Sequence, residues 1–411
     1  MTKADVQRYR WTILAVGSFA AAATAMFRMG LPALGPALRD QFDLSLAQVG
    51  LVFTTVSVGV ALGLVPWGIV TDKVGERPVL GFGMVASAGT LVLAAFAPSF
   101  ELFLAAMLLA GIAGASATGA SGRAVMAWFA VTERGTALGI RQMAIPIGGA
   151  IGSLLLPLLV HADGLKFAFL FLAGMALTAA ITSAIWMRDP AVSGKAETDL
   201  AKPMTDGRQW RLGFASALLV VGQSAALGFF VLFLHDERGL SIGLAAGCLA
   251  AIQLMGATGR IISGRLSDAE GVRIPLLRHI ALAMAVLFAA TAALTNAPGL
   301  LLYPILIAAG VIALSWNALA FTAAAEIAGL TKAATAMGLQ NTIVSVGSIG
   351  APVAFGLLVE ATSYPVGFAA VAIAPIASFA LLRTLQDDEA ERARERRGVL
   401  QPSVNPTEVT A

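Results

Sequence analysis

The stretch Gly68-Ile-Val-Thr-Asp72-Lys73-Val-Gly75-Glu76-Arg77 decides the fold, because the chain contains it twice. The second copy is Gly264-Arg-Leu-Ser-Asp268-Ala-Glu-Gly271-Val-Arg273, at an offset of 196 residues. Working outward, Gly63 pairs with Gly259 in the same register. Leu38-x-Asp40 with Leu44-Ser45 returns as Leu234-x-Asp236 with Leu240-Ser241. Gly- and Ala-rich runs produce isolated coincidences, but not a series that includes two Asp pairs and an Arg pair. The chain is read as two related halves of the same orientation.

What surrounds the repeat is apolar. Of 411 residues, 58% are hydrophobic and 12% charged, with mean hydropathy +0.82. A soluble domain carries about 45–50% apolar and about 25% charged residues, so this chain cannot cover a water-exposed surface. That excludes a disordered chain, a cytosolic enzyme and a nucleic-acid binder. A spanning helix needs roughly 20 apolar residues, which leaves room for about a dozen spans and no catalytic domain. Cys248 is the only cysteine, and His161, His235 and His279 show no ligand spacing, so no metal or cofactor is expected.

Charge and Pro/Gly clusters divide the apolar runs into spans at 12–36, 46–68, 78–97, 102–124, 136–160, 167–187, 212–234, 242–266, 276–296, 300–324, 333–359 and 364–383. The expected organisation is a bundle over 1–188, a linker over 189–210, a second bundle over 211–385 and a tail over 386–411 that frays. Lys and Arg collect on the side of both termini, leaving only Arg39, Lys166 and Arg238 on the other. The positive-inside rule then makes both termini cytoplasmic. Parallel repeats of this kind are typical of secondary transporters, which bind cargo where the halves meet.

The first copy of the motif resembles the signature loop of the major facilitator superfamily, G-x-x-x-D-(R/K)-x-G-(R/K)-(R/K). It departs at Glu76, where the family prefers a basic residue, and the second copy matches less well. The resemblance covers essentially the whole chain. It implies an all-α membrane protein with twelve transmembrane helices in two six-helix pseudo-symmetric bundles, working by alternating access. It also implies a gate at Gly68, Asp72, Lys73, Gly75 and Arg77, with counterparts Gly264, Asp268 and Arg273, that locks the outward-facing state. Gly68 and Gly75 suit close approach and a tight turn, and a carboxylate at Asp72 suits a helix N-terminus or a basic partner. The alternative, an ordinary solvated loop, is disfavoured by the repeat of Asp268 and Arg273. The motif is shared by sugar, drug and anion carriers, so it does not name the cargo.

Charges at membrane depth say more about cargo, since an Arg there costs about 2.5–3.5 kcal/mol on insertion scales. Arg28 lies in span one, Arg141 in span five and Arg260 in span eight, while Arg123 is near enough to the end of span four to reach water. Arg28 corresponds in the repeat to Ser224, beside Gln223; its alternative is snorkelling to the surface. Arg141-Gln142 corresponds to Gln340-Asn341, with interhelical hydrogen bonding as the alternative. Arg260 opens Gly259-Arg260-x-x-x-Gly264, which resembles span eight of monocarboxylate carriers, although their acidic residue one turn earlier is Gly256 here. A structural Arg260 stays open. Gln253, Trp316 and Asn317 could add hydrogen bonds or a stacking wall, with plain packing as the alternative for Trp316.

No Asp or Glu falls mid-span: Glu101, Asp163 and Glu360 lie at outer ends, and Glu133 and Glu326 in cytoplasmic loops. Arginines without acids leave a positive cavity, and guanidinium pairs bidentately with carboxylate. The expected function is transport of a small organic anion, carboxylate-type, with proton coupling left open. The expected partners are that anion, protons and the bilayer, in a monomer at the inner (plasma) membrane. A proton-coupled efflux antiporter of drugs or lipophilic compounds is the second reading. It rests on Pro146-Ile-Gly148-Gly149, which partly resembles the family's antiporter motif but lacks the leading Gly-Pro pair.

Overall fold

The structure is a computed structural model that describes residues 3–188 and 202–400. Its long helices are α1 (Lys3–Gly30), α2 (Leu46–Val74), α3 (Glu76–Ala95) and α4 (Phe100–Gly114, resuming as Ser116–Trp128). The continuous stretch Arg134–Trp186 is broken by Gly164, at φ 82° and ψ 174°, into α5 (134–163) and α6 (165–186). Then follow α7 (Gly207–Leu232), α8 (Ile242–Glu270), α9 (Ile274–Ala293), α10 (Gly299–Ser315, resuming as Asn317–Ala328), α11 (Ala333–Ala361) and α12 (Tyr364–Leu400). Among the described residues ten segments are long and apolar enough to span a bilayer, one of which, Val131–Trp186, holds both α5 and α6. The side on which α1 begins and α12 ends is called the terminal face below.

Local chemistry explains several ends. Ser45 caps α2 in a reciprocal capping box with Gln48, and Ser241 accepts from Leu244 N to cap α8. The repeated Leu-Ser pair is therefore a pair of helix starts. Gly75, at φ 100°, turns the chain between α2 and α3 in a conformation a side chain would strain.

Apolar packing separates two cores. One runs from Ile13 to Met187, with Phe103 edge-on to Phe169; the other runs from Leu212 to Leu385, around Phe230, Phe233 and Phe368. A third cluster joins the halves near the terminal face. It sets Leu14, Val125, Met126, Phe129, Ala137 and Leu138 against Phe321, Ala325, Ala333 and Met337.

The structure differs from the expected spans in three places. α1 stops at Gly30 and continues to Phe42 through a 3-10 turn at Leu31–Leu34, since Pro32 interrupts the helical ladder. α4 and α10, the fourth helix of each half, break at Ala115 and Trp316. α7 opens at Gly207, inside the expected linker, because Asp206 accepts from Arg208 N and caps it. Of that linker and the expected tail, residues 189–201 and 401–411 lie outside the described residues. As far as Leu400 the tail continues α12 as helix.

Candidate functional site

The site has two levels: a charged lock at the terminal face and an arginine layer deeper in the membrane. At the lock, Asp72 ends α2 and reaches the first turn of α11. Its Oδ1 accepts from Ala334 N at 3.1 Å, and its Oδ2 from Thr335 N at 2.9 Å and Thr335 Oγ1 at 2.6 Å. First-turn N–H groups have no partner inside their own helix, and a carboxylate there also meets the positive end of the helix dipole. Asp268, ending α8, treats α5 identically: it accepts from Gly135 N at 2.9 Å, Thr136 N at 2.8 Å and Thr136 Oγ1 at 2.8 Å. Each half lends its Asp to the fifth helix of the other.

An arginine braces each carboxylate. Arg273 pairs with Asp268 at 2.7 Å and Glu326 at 3.2 Å, and donates across the seam to Val131 O at 2.8 Å. Burial works against the Arg273 charge, but Glu326 and Asp268 outweigh it and hold its pKa above the ordinary arginine value. In the first half the brace is Arg123, with Asp72 at 3.3 Å and Glu76 at 2.8 Å, and it donates to Leu330 O of the other half at 3.1 Å. The repeat pointed instead to Arg77, and this is corrected: Arg77 lies exposed and donates to Ala184 O near the end of α6, within its own half. Arg123 does not reach water; it is buried between two acids. Glu76, which breaks the family pattern, is 1% exposed and supplies one of them. Lys73 faces solvent outside the lock.

Backbones meet closely here. A Cβ on Gly264 would lie 2.3 Å from Gly135 O, and one on Gly68 2.6 Å from Ala334 O. Among the described residues the hydrogen bonds that cross between halves run from this face as far as Thr342 Oγ1 to Ala61 O, midway along α11 and α2. Beyond that level Leu154, Leu158, Val346, Val353 and Leu357 are exposed. The described contacts that join the halves gather at the terminal face.

The deeper layer holds Arg141 and Arg260. Arg141 is 1% exposed and donates to Ser121 Oγ, to Ala117 and Thr118 carbonyls, and to Gln142 Oε1 at 2.9 Å. Arg260 is 6% exposed and donates to Leu314 O at 2.8 Å, a carbonyl freed by the break in α10, and to Gln142 O at 2.9 Å across the seam. Gln142 thus ties both guanidinium groups, and neither has a carboxylate partner among the described residues. Arg141 also lines a small cavity of about 40 Å³ with Arg28, Thr24 and Thr118, walled by Val60 and Ile145. A water needs roughly 10–15 Å³, so a compact charged group fits. Arg28 is half-buried and has no hydrogen bond or ion pair among the described residues.

The remaining candidates scatter around this layer. Asn317 Nδ2 donates to Gln223 Oε1 at 2.8 Å, joining α10 to α7, and Gln253 is half-buried on α8. Gln340 is buried and donates to Ser216 Oγ, while Asn341 donates to Met337 O of its own helix. Trp316 is 0% exposed and packed in the second core where α10 breaks, which is the plain-packing alternative. Ser121 and Thr118 carry no signal in the sequence, and the pairing of Arg123 with Asp72 and Glu76 is not legible there either, because position along a helix does not say which way a side chain points. The one available signal was the unlike charge of Glu76 in an otherwise basic motif.

A two-part helical bundle, closed on one face by reciprocal helix caps, defines a membrane carrier fold. The chain belongs to the Major Facilitator Superfamily, whose profile matches residues 17–352. It is 33% identical to an uncharacterized MFS-type transporter of Mycobacterium tuberculosis over 94% of this chain and 88% of that one. It is 27% identical to a probable sulfoacetate transporter of Cupriavidus necator, over 83% of this chain and 85% of that one. The fold matches that of the fucose:proton symporter of Escherichia coli, with TM-score 0.74 and 15% identity, over 91% of this chain and 98% of that one.

Proposed function

We propose that this transporter carries a small organic anion, carboxylate-type, across the plasma membrane by alternating access, with the terminal face cytoplasmic. The observation that carries the reading is the arginine layer. Among the described residues Arg141 and Arg260 are buried without a carboxylate, and Arg28 faces the same cavity as Arg141 without a hydrogen bond or ion pair. Uncompensated buried charge is costly, and an anion seated on these groups supplies the missing counter-charge. The terminal face is then the closed gate of an outward-open state. Arg28 and Arg141 bind the charged group, Arg260 and Gln142 complete the polar floor, and Gln223, Gln253 and Asn317 contact the rest of the cargo. The named cargo of the Cupriavidus relative, sulfoacetate, is an organic anion of this class.

The test is a thermal-shift screen of the purified protein against sulfoacetate, hexuronates and simple monocarboxylates, with tetraphenylphosphonium as a lipophilic cation. A ligand at 100 times its Kd stabilises by about 2.7 kcal/mol. Stabilisation by anions alone is expected. Stabilisation by the cation alone would reverse the assignment in favour of drug efflux.

A further inference from the structure

Arg141 holds two kinds of contact, and they differ in what happens when the halves move. Ser121, Ala117, Thr118 and Gln142 belong to the first half, so these hydrogen bonds travel with Arg141. The Phe321 ring belongs to the second half and lies 5.2 Å from the Arg141 guanidinium carbon. Phe321 is itself 1% exposed and sits in the apolar cluster that joins the halves at the terminal face. Its ring is held firmly: a Cβ on Gly122, across the seam, would lie 2.7 Å from Phe321 Cε1. A desolvated cation over a ring face is among the stronger cation–π arrangements.

We infer that Phe321 is a positioning residue that stabilises the Arg141 charge only while the cytoplasmic side is closed, so that an empty carrier is held shut and an anion-loaded one is released. Opening the terminal face carries the ring away with α10. Empty, Arg141 then keeps neutral hydrogen bonds but loses its one cross-seam partner for charge among the described contacts. Loaded, the anion on its cavity side already compensates that charge, and the loss of the ring matters less. Arg260 obeys the same rule in reverse, since it belongs to the second half and its bond to Gln142 O is broken by the same movement. Phe321 is the better probe because its ring can be removed without touching a candidate binding group.

The inference rests on the anion-carrier reading of Arg141, but its test needs no anion. Ala333, fully buried in the same terminal-face cluster, is replaced as Ala333→Cys in a Cys248→Ser background. Maleimide labelling of the purified protein in Tris chloride buffer then reports opening of that face. Phe321→Leu keeps an apolar side chain but removes the ring, and labelling is expected to rise several-fold. In an Arg141→Gln background the same substitution should change labelling by less than twofold, because there is no charge left for the ring to hold. An equal rise in both backgrounds would show packing alone and overturn the inference, as would an unchanged rate with Arg141 present. If Arg141→Gln does not fold, Arg141→Met provides the uncharged background. A failed anion screen leaves these rates interpretable, and a failed labelling result leaves the anion screen standing.

Discussion

The Asp72 carboxylate lies 2.6 Å from the Thr335 hydroxyl, on the opposite side of the seam between the two halves. The same relationship holds between Asp268 and Thr136, at 2.8 Å. These are helix caps built between bundles, so their free energy contributes to closure of one face and not to the folding of either bundle alone.

Asp72→Asn keeps an acceptor for α11 but removes the charge from the dipole and from Arg123. Caps and dipole contacts are each worth about 0.5–2 kcal/mol. The open terminal face should therefore gain about tenfold in population for a loss of about 1.4 kcal/mol. Spin-label distances across the α2–α11 seam check this, and Asp72→Asn with Asp268→Asn should shift them further than either alone. Unchanged distances would mean that the caps are not part of the gate.

Glu76→Lys restores the basic character that the family motif prefers, yet it should damage this protein. It sets a second cation against Arg123, where an acid now lies 2.8 Å away in a buried pair. Breaking such a pair costs about 3–5 kcal/mol, so a clear fall in melting temperature is expected. Glu76→Lys combined with Arg123→Glu should recover part of it. No recovery would argue that the pair is not what Glu76 contributes.

Gly264→Ala tests the close approach directly. The added Cβ would lie 2.3 Å from Gly135 O, backbone that cannot rotate away. Overpacking of this kind costs about 1–3 kcal/mol, and parting the halves at the terminal face relieves it. Faster labelling of a cysteine at position 333 is expected. Gly271→Ala serves as contrast: a Cβ there meets nothing within 4 Å, although its φ of 71° adds local strain.

Arg28 and Arg141 should separate binding from stability. Arg28 has no hydrogen bond or ion pair among the described residues, so Arg28→Gln should leave the melting temperature unchanged while raising KM for the anion found in the thermal screen. Hydrogen bonds to charged groups contribute about 1.5–3 kcal/mol, which puts the rise at roughly 10- to 100-fold. Arg141→Gln should abolish uptake while the protein still inserts. Normal uptake by either variant removes that residue from the site.

The repeated loop, the lengths of the apolar runs and the positions of the arginines are linear information. They were enough to expect twelve helices and to place Arg28, Arg141 and Arg260 at membrane depth. Apolar length sets whether a segment can span, and the offset between the halves, 196 residues through the motif and 199 from Arg141 to Gln340, sets which positions correspond. Rotation about each helix axis is different, because it is decided by which Gly and Ala faces pack against which neighbour. Rotation is why Arg123, not Arg77, braces Asp72, and why Trp316 turns into a core while Phe321 lies against Arg141. The sequence alone determined what each residue is and which positions of the two halves correspond. Only the tertiary structure decided what each one faces, since those faces are set by close packing between segments far apart in the chain.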